Sequence, residues 1–345
     1  MSKLKKTNIS FSTVNESAIQ IKVSKKEKKA KKKELQRTKK WKIDRRGRWT
    51  GSQLASLMSC AQGKGKGSWD NLDKVFSFGL TSIKYIYENA KERQTGRYVD
   101  DGDGSWDMQY GTKVEPLIRR ITKEKLKEMK VEGKLKKVGF KKFDSMPNAG
   151  VSSDSIVVLN GKTEATVEMK ACTRWTTHYD RTFKTTDEKS KDFWQICGQT
   201  IAHNVDTCYY VVAEPPEDKT KYLFHQGDIM ELYEDFKKEC KVSIEIVKAS
   251  KPHQDALLKR LAIAEDALND WLSDGGDLDT VLSECISFYE DNPEKLNKYI
   301  PPLPFAGEMN NETDVKIISK SKSKFIESLK KTSRRTEKSS IPLLV

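Results

Sequence analysis

Two β-prone runs joined by an Asn-Gly pair set the tightest local constraint on this chain. Ile156, Val157, Val158 and Leu159 form the first run and Ala165, Thr166 and Val167 the second, with Asn160-Gly161 between them. Asn-Gly accepts the positive φ angles of a tight turn, so the three pieces predict a β-hairpin. The first arm is preceded by Gly150-Val151-Ser152-Ser153-Asp154, and the second runs on into Glu168-Met169-Lys170. Side chains alternate along a strand, so Glu168 and Lys170 share a face.

Whether Asp154 shares that face depends on the loop. A two-residue loop at Asn160-Gly161 sets Asp154 opposite Val167. A three-residue loop, Asn160–Lys162, sets it opposite Glu168. An Asp on one arm and Glu-x-Lys on the other can hold a divalent metal between carboxylates, while the ammonium steers or helps deprotonate a water. The same residue types also stand on the polar face of any half-solvated hairpin, and spacing alone leaves both readings open. The metal reading requires a three-residue loop or a bulge. Glu164, in phase with Glu168, is expected nearer the turn and solvated.

A 345-residue chain can bury one large core, with or without a small appended subdomain. With 36% hydrophobic and 33% charged residues and no long uncharged apolar run, a soluble, non-membrane, cytoplasmic protein is expected. The six cysteines lack Cys-x-x-Cys spacing and read as reduced thiols, and the four histidines lack ligand spacing. The net charge of +14 sits in the ends. Residues 1–42 carry fourteen Lys and Arg37 against Glu16, Glu27 and Glu34, a net +12; residues 311–345 carry +5, leaving −3 for 43–310. Lys-rich tails attract phosphates without reading sequence, and they also serve as plain solubilising tails.

The expected organisation is a basic, mostly disordered tail (1–40), one domain (41–250), a helical C-terminal addition (251–305) and a second basic tail (306–345). Thr50 or Ser52 is expected to cap a helix that buries Leu54, Leu57 and Met58, after which Gln62–Ser68 forms a loop and Leu72–Tyr87 a helix. Asp100–Gly104 reads as an acidic loop. Met108–Met129 reads as a helix with Pro116 in its first turn or at a kink. Val138–Phe143, Thr207–Ala213, Lys219–His225 and Val242–Val247 read as strands. Thr173–Lys191 reads as a mobile loop in which Trp175 packs, and Asp192–Asn204, Asp255–Leu272, Leu278–Asp291 and Pro293–Tyr299 read as helices. This order predicts an α/β layer on a mixed central sheet flanked by helices, with helical N- and C-terminal additions.

Four separated segments in this order resemble the lambda exonuclease/YqaJ-type viral recombinase family of PD-(D/E)xK nucleases. Arg45-Arg46-Gly47-Arg48-Trp49-Thr50-Gly51-Ser52 is similar to its Arg-x-Gly-x-x-Thr-Ala-Ser motif, and Tyr110–Pro116 to its Gly-x-x-x-Glu helix. Ala149–Asp154 with Glu168–Lys170 resembles the Ser-Pro-Asp…Glu-x-Lys core, and Phe193–Gln199 the aromatic-Gln-x-Gln-Gly-Gln helix. Ser153 stands in place of Pro, Gly51 in place of Ala and Cys197 in place of the second Gln. The resemblance covers about 43–225 and implies a restriction-endonuclease-like (PD-(D/E)xK) core. It implies Asp154, Glu168 and the Met169 carbonyl as ligands of Mg²⁺, or of Mn²⁺ in its place, with Lys170 orienting the attacking water and Glu115 reaching the site from its helix. Arg45 and Ser52 would grip a 5′-terminal phosphate, and Gln195 and Gln199 would contact DNA or the site.

The function it implies is a Mg²⁺-dependent DNA exonuclease acting 5′ to 3′ on duplex ends in phage-type recombination. A homotrimer and a single-strand-annealing partner protein are implied with it. Two alternatives stay open: a PD-(D/E)xK endonuclease with the same metal site, and a non-enzymatic DNA-binding accessory acting through its basic tails.

Overall fold

The computed structural model describes residues 36–58, 60–61, 78–98, 104–184, 190–273, 277–291 and 298–299. All lie in one unit, Met1–Ile300. The N-terminal part supplies α1 (Lys39–Arg45), β1 (Trp49–Thr50), a 3-10 turn (Gly51–Gln53) running into α2 (Leu54–Leu57), β2 (Cys60–Ala61) and α3 (Leu80–Thr95). The middle supplies α4 (Trp106–Glu128), β3 (Lys134–Lys136), β4 (Phe140–Lys142), β5 (Ala149–Ser152), β6 (Ser155–Leu159), β7 (Lys162–Ala171), α5 (Trp175–Lys184) and α6 (Lys191–His203). Then come β8 (Thr207–Ala213), α7 (Lys219–Leu223), α8 (Tyr233–Glu239), β9 (Val242–Lys248), α9 (Lys251–Ser273), α10 (Leu278–Asp291) and β10 (Lys298–Tyr299).

The central sheet has the order β3-β6-β7-β8-β9 and is mixed, parallel only between β7 and β8. A smaller sheet, β1-β5-β4, lies beside it. The expected mixed sheet flanked by helices is what forms. Alternation along β7 explains its layering. Ala165, Val167 and Met169 join the cluster built with Val114, Leu117, Ile118 and Ile121 of α4. Thr166 and Glu168 are also buried, on the opposite face, where α6 packs.

The turn is two residues long, since Leu159 pairs with Lys162. Asn160 (φ 50°) and Gly161 (φ 83°) both take the left-handed conformation that this turn demands. The expected three-residue loop is not used; the alternative, a bulge, is. Val158 pairs with Thr163 but Val157 with Ala165, so exposed Glu164 is the extra residue. Past the bulge Ser155 pairs with Val167, and one residue further along this register Asp154 comes level with Glu168. Asp154 also lies where the chain leaves β5 in one sheet for β6 in the other.

Other expectations are corrected. Lys219–His225 is not a strand, because the Asp218 carboxylate accepts from the Thr220 and Lys221 amides and caps α7. Thr173–Lys191 is not all loop: α5 occupies Trp175–Lys184, with Tyr179 and Phe183 in ring contact on one side. Trp175 does not pack inside; it is 62% exposed. Thr50 is a strand residue whose side chain caps nothing, although Leu54, Leu57 and Met58 are fully buried as expected. Pro116 lies well inside α4, past the first turn; having no N–H, it cannot bond the Thr112 carbonyl. Residues 36–40 belong to the folded part: α1 begins at Lys39, and Gln36 Nε2 donates to the Ser153 carbonyl (2.9 Å). Lys298–Tyr299 pairs as a strand with Cys60–Ala61 and is not helical. The loop at 62–68, Leu72 to Phe76 of the expected helix, 100–103 of the acidic loop, the stretch 293–297 and the tails 1–35 and 306–345 lie outside the described residues.

Gly150 of β5 can carry no side chain. A Cβ there would lie 2.5 Å from Phe140 Cζ and 2.7 Å from the Lys141 carbonyl oxygen. Gly150→Ala should cost about 1–3 kcal/mol, the price of overpacking, read as a lower urea midpoint. His203, at the end of α6, is buried with an Nε2 that has no hydrogen-bond partner among the described residues. Burial, then Lys141, lowers its pKa from 6.5 to about 4. A lowered folded-state pKa gives stability that is complete above about pH 6.5 and lost as pH falls towards 4. Urea unfolding of wild type should therefore weaken relative to His203→Gln over that window, by at most about 1.4 kcal/mol per pH unit.

Candidate active site

Glu168, in the middle of the central sheet, is only 3% exposed. A buried carboxylate is costly without partners, and here each oxygen has one. Gln195 Nε2 donates to Oε1 (2.7 Å) and Gln199 Nε2 to Oε2 (2.5 Å), while Lys170 Nζ lies 2.7 Å from Oε1. Gln195 and Gln199 are four apart on α6, so one helix face presents both amides to β7. The Ser190 hydroxyl accepts from the Asp192 amide and fixes where that helix starts.

Lys170 Nζ is held by three acceptors: Glu168, Gln195 Oε1 (2.9 Å) and Asp192 Oδ1 (3.3 Å). Burial acts to lower its pKa, but Glu168 and Asp192 outweigh it and raise it above the ordinary lysine value. The group is therefore an ammonium that orients and attracts, rather than a free amine at neutral pH. Asp154 Oδ2 accepts from the Met169 amide (2.7 Å), which ties the end of one arm to the other. Burial, then the Glu168 and Glu115 carboxylates, push the Asp154 carboxyl well above the usual range.

Glu115 reaches this place from α4. Burial would raise its pKa, but Arg119, Arg37 and Lys137 together hold it below the ordinary value. Arg119 pairs with Glu115 and also donates to the Asp154 carbonyl (3.0 Å) and the Ser155 hydroxyl (3.0 Å). Asp154, Glu168, Met169, Lys170 and Glu115 line a single cleft of about 310 Å³, with Arg37, Thr177 and Arg181 on its walls.

Arg45, Ser52, Gln195 and Gln199 line a second, smaller cavity of about 50 Å³ beside Thr50 and Gly51. Arg45 stacks over Trp41 (4.2 Å), which in turn donates from its indole to the Ser152 hydroxyl (2.8 Å). Burial lowers the Arg45 pKa, and its Nε is buried without a partner among the described residues. A half-buried cation with an unused donor beside a cavity suits an anion. Exposed Ser52 would reach such a group only with its hydroxyl.

All eight side chains expected from sequence thus fall at two neighbouring cavities that share Gln195 and Gln199 as a bridge of contacts: both amides bind Glu168, and both line the smaller cavity. Asp192, Arg119, Arg181 and Arg37 were missed. Asp192 precedes Gln195 by three residues and Arg119 follows Glu115 by four, so helical spacing was the signal for two of them.

Among the described residues no group of three or more His, Cys, Asp or Glu is arranged to hold a metal ion. Two carboxylates and a carbonyl nevertheless suit Mg²⁺, which takes one or two carboxylates and keeps several waters. The crowding of Asp154, Glu168 and Glu115 is relieved by a cation among them.

No protein-family model matches the chain, and no curated protein matches it in sequence. Among solved structures, an alkaline exonuclease (LHK-Exo) from Laribacter hongkongensis aligns at 20% identity over 75% of this chain and 100% of its own, with a TM-score of 0.41. The same protein in complex with dAMP aligns at 20% identity over the same shares, with a TM-score of 0.42. A phage related exonuclease from Haemophilus somnus 129PT aligns at 16% identity over 66% of this chain and 96% of its own, with a TM-score of 0.44.

Arg119 touches both Glu115 and the Asp154 backbone. Arg119→Met should leave Glu115 only the more exposed Arg37 and Lys137 and cost about 1–3 kcal/mol in urea unfolding. An unchanged midpoint would mean that the cleft does not depend on it.

Proposed function

We propose that this chain is a metal-dependent deoxyribonuclease, an exonuclease that digests duplex DNA from a 5′ end. The observation that carries the proposal is the meeting of Asp154, Glu168 and Lys170 at one cleft, next to a cavity built around Arg45. Asp154, Glu168 and the Met169 carbonyl would hold Mg²⁺, or Mn²⁺ in its place. When bound, the ion supplies Lewis acidity at the scissile phosphate and lowers the pKa of a bound water.

The chain's own groups do the rest. Gln195 and Gln199 keep Glu168 in one orientation, and the Met169 amide does the same for Asp154. The Lys170 ammonium faces the scissile phosphate, offsets its developing charge and orients the attacking water. Water oxygen adds to phosphorus and releases its proton to solvent, while the bond to the leaving sugar oxygen breaks and that oxygen takes up a proton from solvent as a hydroxyl. Glu115 sits at the cleft as a carboxylate held by Arg119 and Arg37. Arg45, with Ser52 beside it, would take the 5′-terminal phosphate.

Arg45 and Ser52 at a small cavity favour the exonuclease over an endonuclease, since a chain end can enter such a space where a phosphate continued on both sides cannot. A homotrimer, a single-strand-annealing partner and a nuclease domain spanning 41–250 belong to the same proposal. No helix among the described residues is long and apolar enough to cross a membrane.

The test is digestion of 5′-phosphorylated linear duplex with Mg²⁺, against covalently closed DNA of the same sequence. Wild type should degrade only the linear form. Chelation, Glu168→Ala or Lys170→Ala should reduce turnover by about a thousandfold, and Arg45→Met should abolish the preference for a 5′-phosphate. Cleavage of closed circles would favour the endonuclease. Equal activity in wild type and Glu168→Ala would end the proposal. If only truncation of both tails removes function, the accessory reading holds instead.

A further inference from the structure

The ion pairs around Lys170 contain one residue with no role in that scheme. Asp192 stands in the first turn of α6, its side chain 16% exposed. One of its oxygens lies 3.3 Å from Lys170 Nζ. The other accepts from the Tyr210 hydroxyl (2.6 Å) and lies 3.4 Å from Arg181 Nε. Tyr210 is fully buried in β8, directly beside Glu168 in the parallel register. Asp192 is thus fixed to the sheet through buried Tyr210 and gives Lys170 an acceptor other than Glu168.

An ammonium has three N–H donors. Those of Lys170 are all committed to protein acceptors, Glu168 Oε1 (2.7 Å), Gln195 Oε1 (2.9 Å) and Asp192 Oδ1 (3.3 Å). None is left for a phosphate or a water unless one acceptor lets go. Gln195 is itself held by its bond to Glu168, and Asp192 by Tyr210 and Arg181. Glu168 Oε1, kept in place by Gln195, is the acceptor that a bound cation would take from Lys170 without the carboxylate turning.

We infer that Asp192 is a positioning residue for the proposed hydrolysis. With Gln195 it holds Lys170 through acceptors other than Glu168, so that the N–H now spent on Glu168 is free for the phosphate or attacking water once Glu168 is engaged. This rests on the nuclease reading above. Without Asp192 the flexible lysine stem folds onto Glu168, where the ammonium neutralises the carboxylate and is lost to the substrate.

The test compares full-length wild type with Asp192→Asn, Tyr210→Phe, Lys170→Ala and the Lys170→Ala/Asp192→Asn pair on 5′-phosphorylated linear duplex. Asp192→Asn should lower kcat about tenfold or more with KM within about twofold, and Tyr210→Phe should act in the same direction but less. In the Lys170→Ala background Asp192→Asn should change nothing further. Metal-free binding of the same duplex, read by fluorescence anisotropy, should be no weaker in Asp192→Asn, since a negative charge has been removed from the cleft. A general loss of structure would weaken it. If Asp192→Asn unfolds at lower urea, Tyr210→Phe carries the kinetic comparison. Asp192→Asn turning over like wild type while Lys170→Ala is dead overturns the inference and spares the nuclease reading. So does a full further loss in the double variant. Wild type inert on every DNA form sinks both.

Discussion

One carboxylate in the middle of a sheet sets the terms for everything around it. Glu168 is almost fully buried, so it must be matched by donors or not be there. The matching comes from three directions. α6 brings two amides, β7 brings its own lysine two residues on, and that lysine draws in Asp192, Tyr210 and Arg181. The helix face carrying Gln195 and Gln199 is therefore locked to the strand by polar bonds, while its neighbours Trp194, Ile196 and Cys197 supply the apolar burial. Polar matching of this kind is exacting. A fully satisfied network specifies one arrangement, and a half-satisfied one is worse than an apolar core.

The second carboxylate arrives by a backbone device. The single extra residue at Glu164 shifts the pairing of β6 on β7 by one, and a shift of one residue turns every later side chain to the other face. Without it Asp154 would point away from Glu168. With it, Asp154 stands where the chain crosses from the small sheet to the large one, and the Met169 amide ties the two arms together. The bulge thus converts a plain Asn-Gly hairpin into a structure that crowds acids at one end.

Much of this was legible before any coordinates. The hairpin, the shared face of Glu168 and Lys170, the Gln pair on one helical face and the mixed sheet with flanking helices all follow from period and turn chemistry. The register condition followed too, though its solution by a bulge could not be told from a longer loop, since both shift the pairing equally. What stayed hidden depends on tertiary contact. Arg119 of α4 and Asp192 in the first turn of α6 look like ordinary solvated charges until their partners on other elements are known. The strand expected at Lys219–His225 failed because a local Asp218 cap outweighs a short apolar pattern. Trp175, expected to pack rather than to stack on a base, is left facing solvent by α5.

The central claim is that Asp154 and Glu168 form a single cation site, held open by the amides of α6. Its most direct measurement is isothermal titration of Mg²⁺ or Mn²⁺ into the DNA-free full chain and into Asp154→Asn, with urea unfolding as a check that both are folded. The account predicts saturable binding to wild type that Asp154→Asn weakens by about tenfold or more. Equal binding by the two folded proteins, or none by wild type with or without DNA, would contradict it.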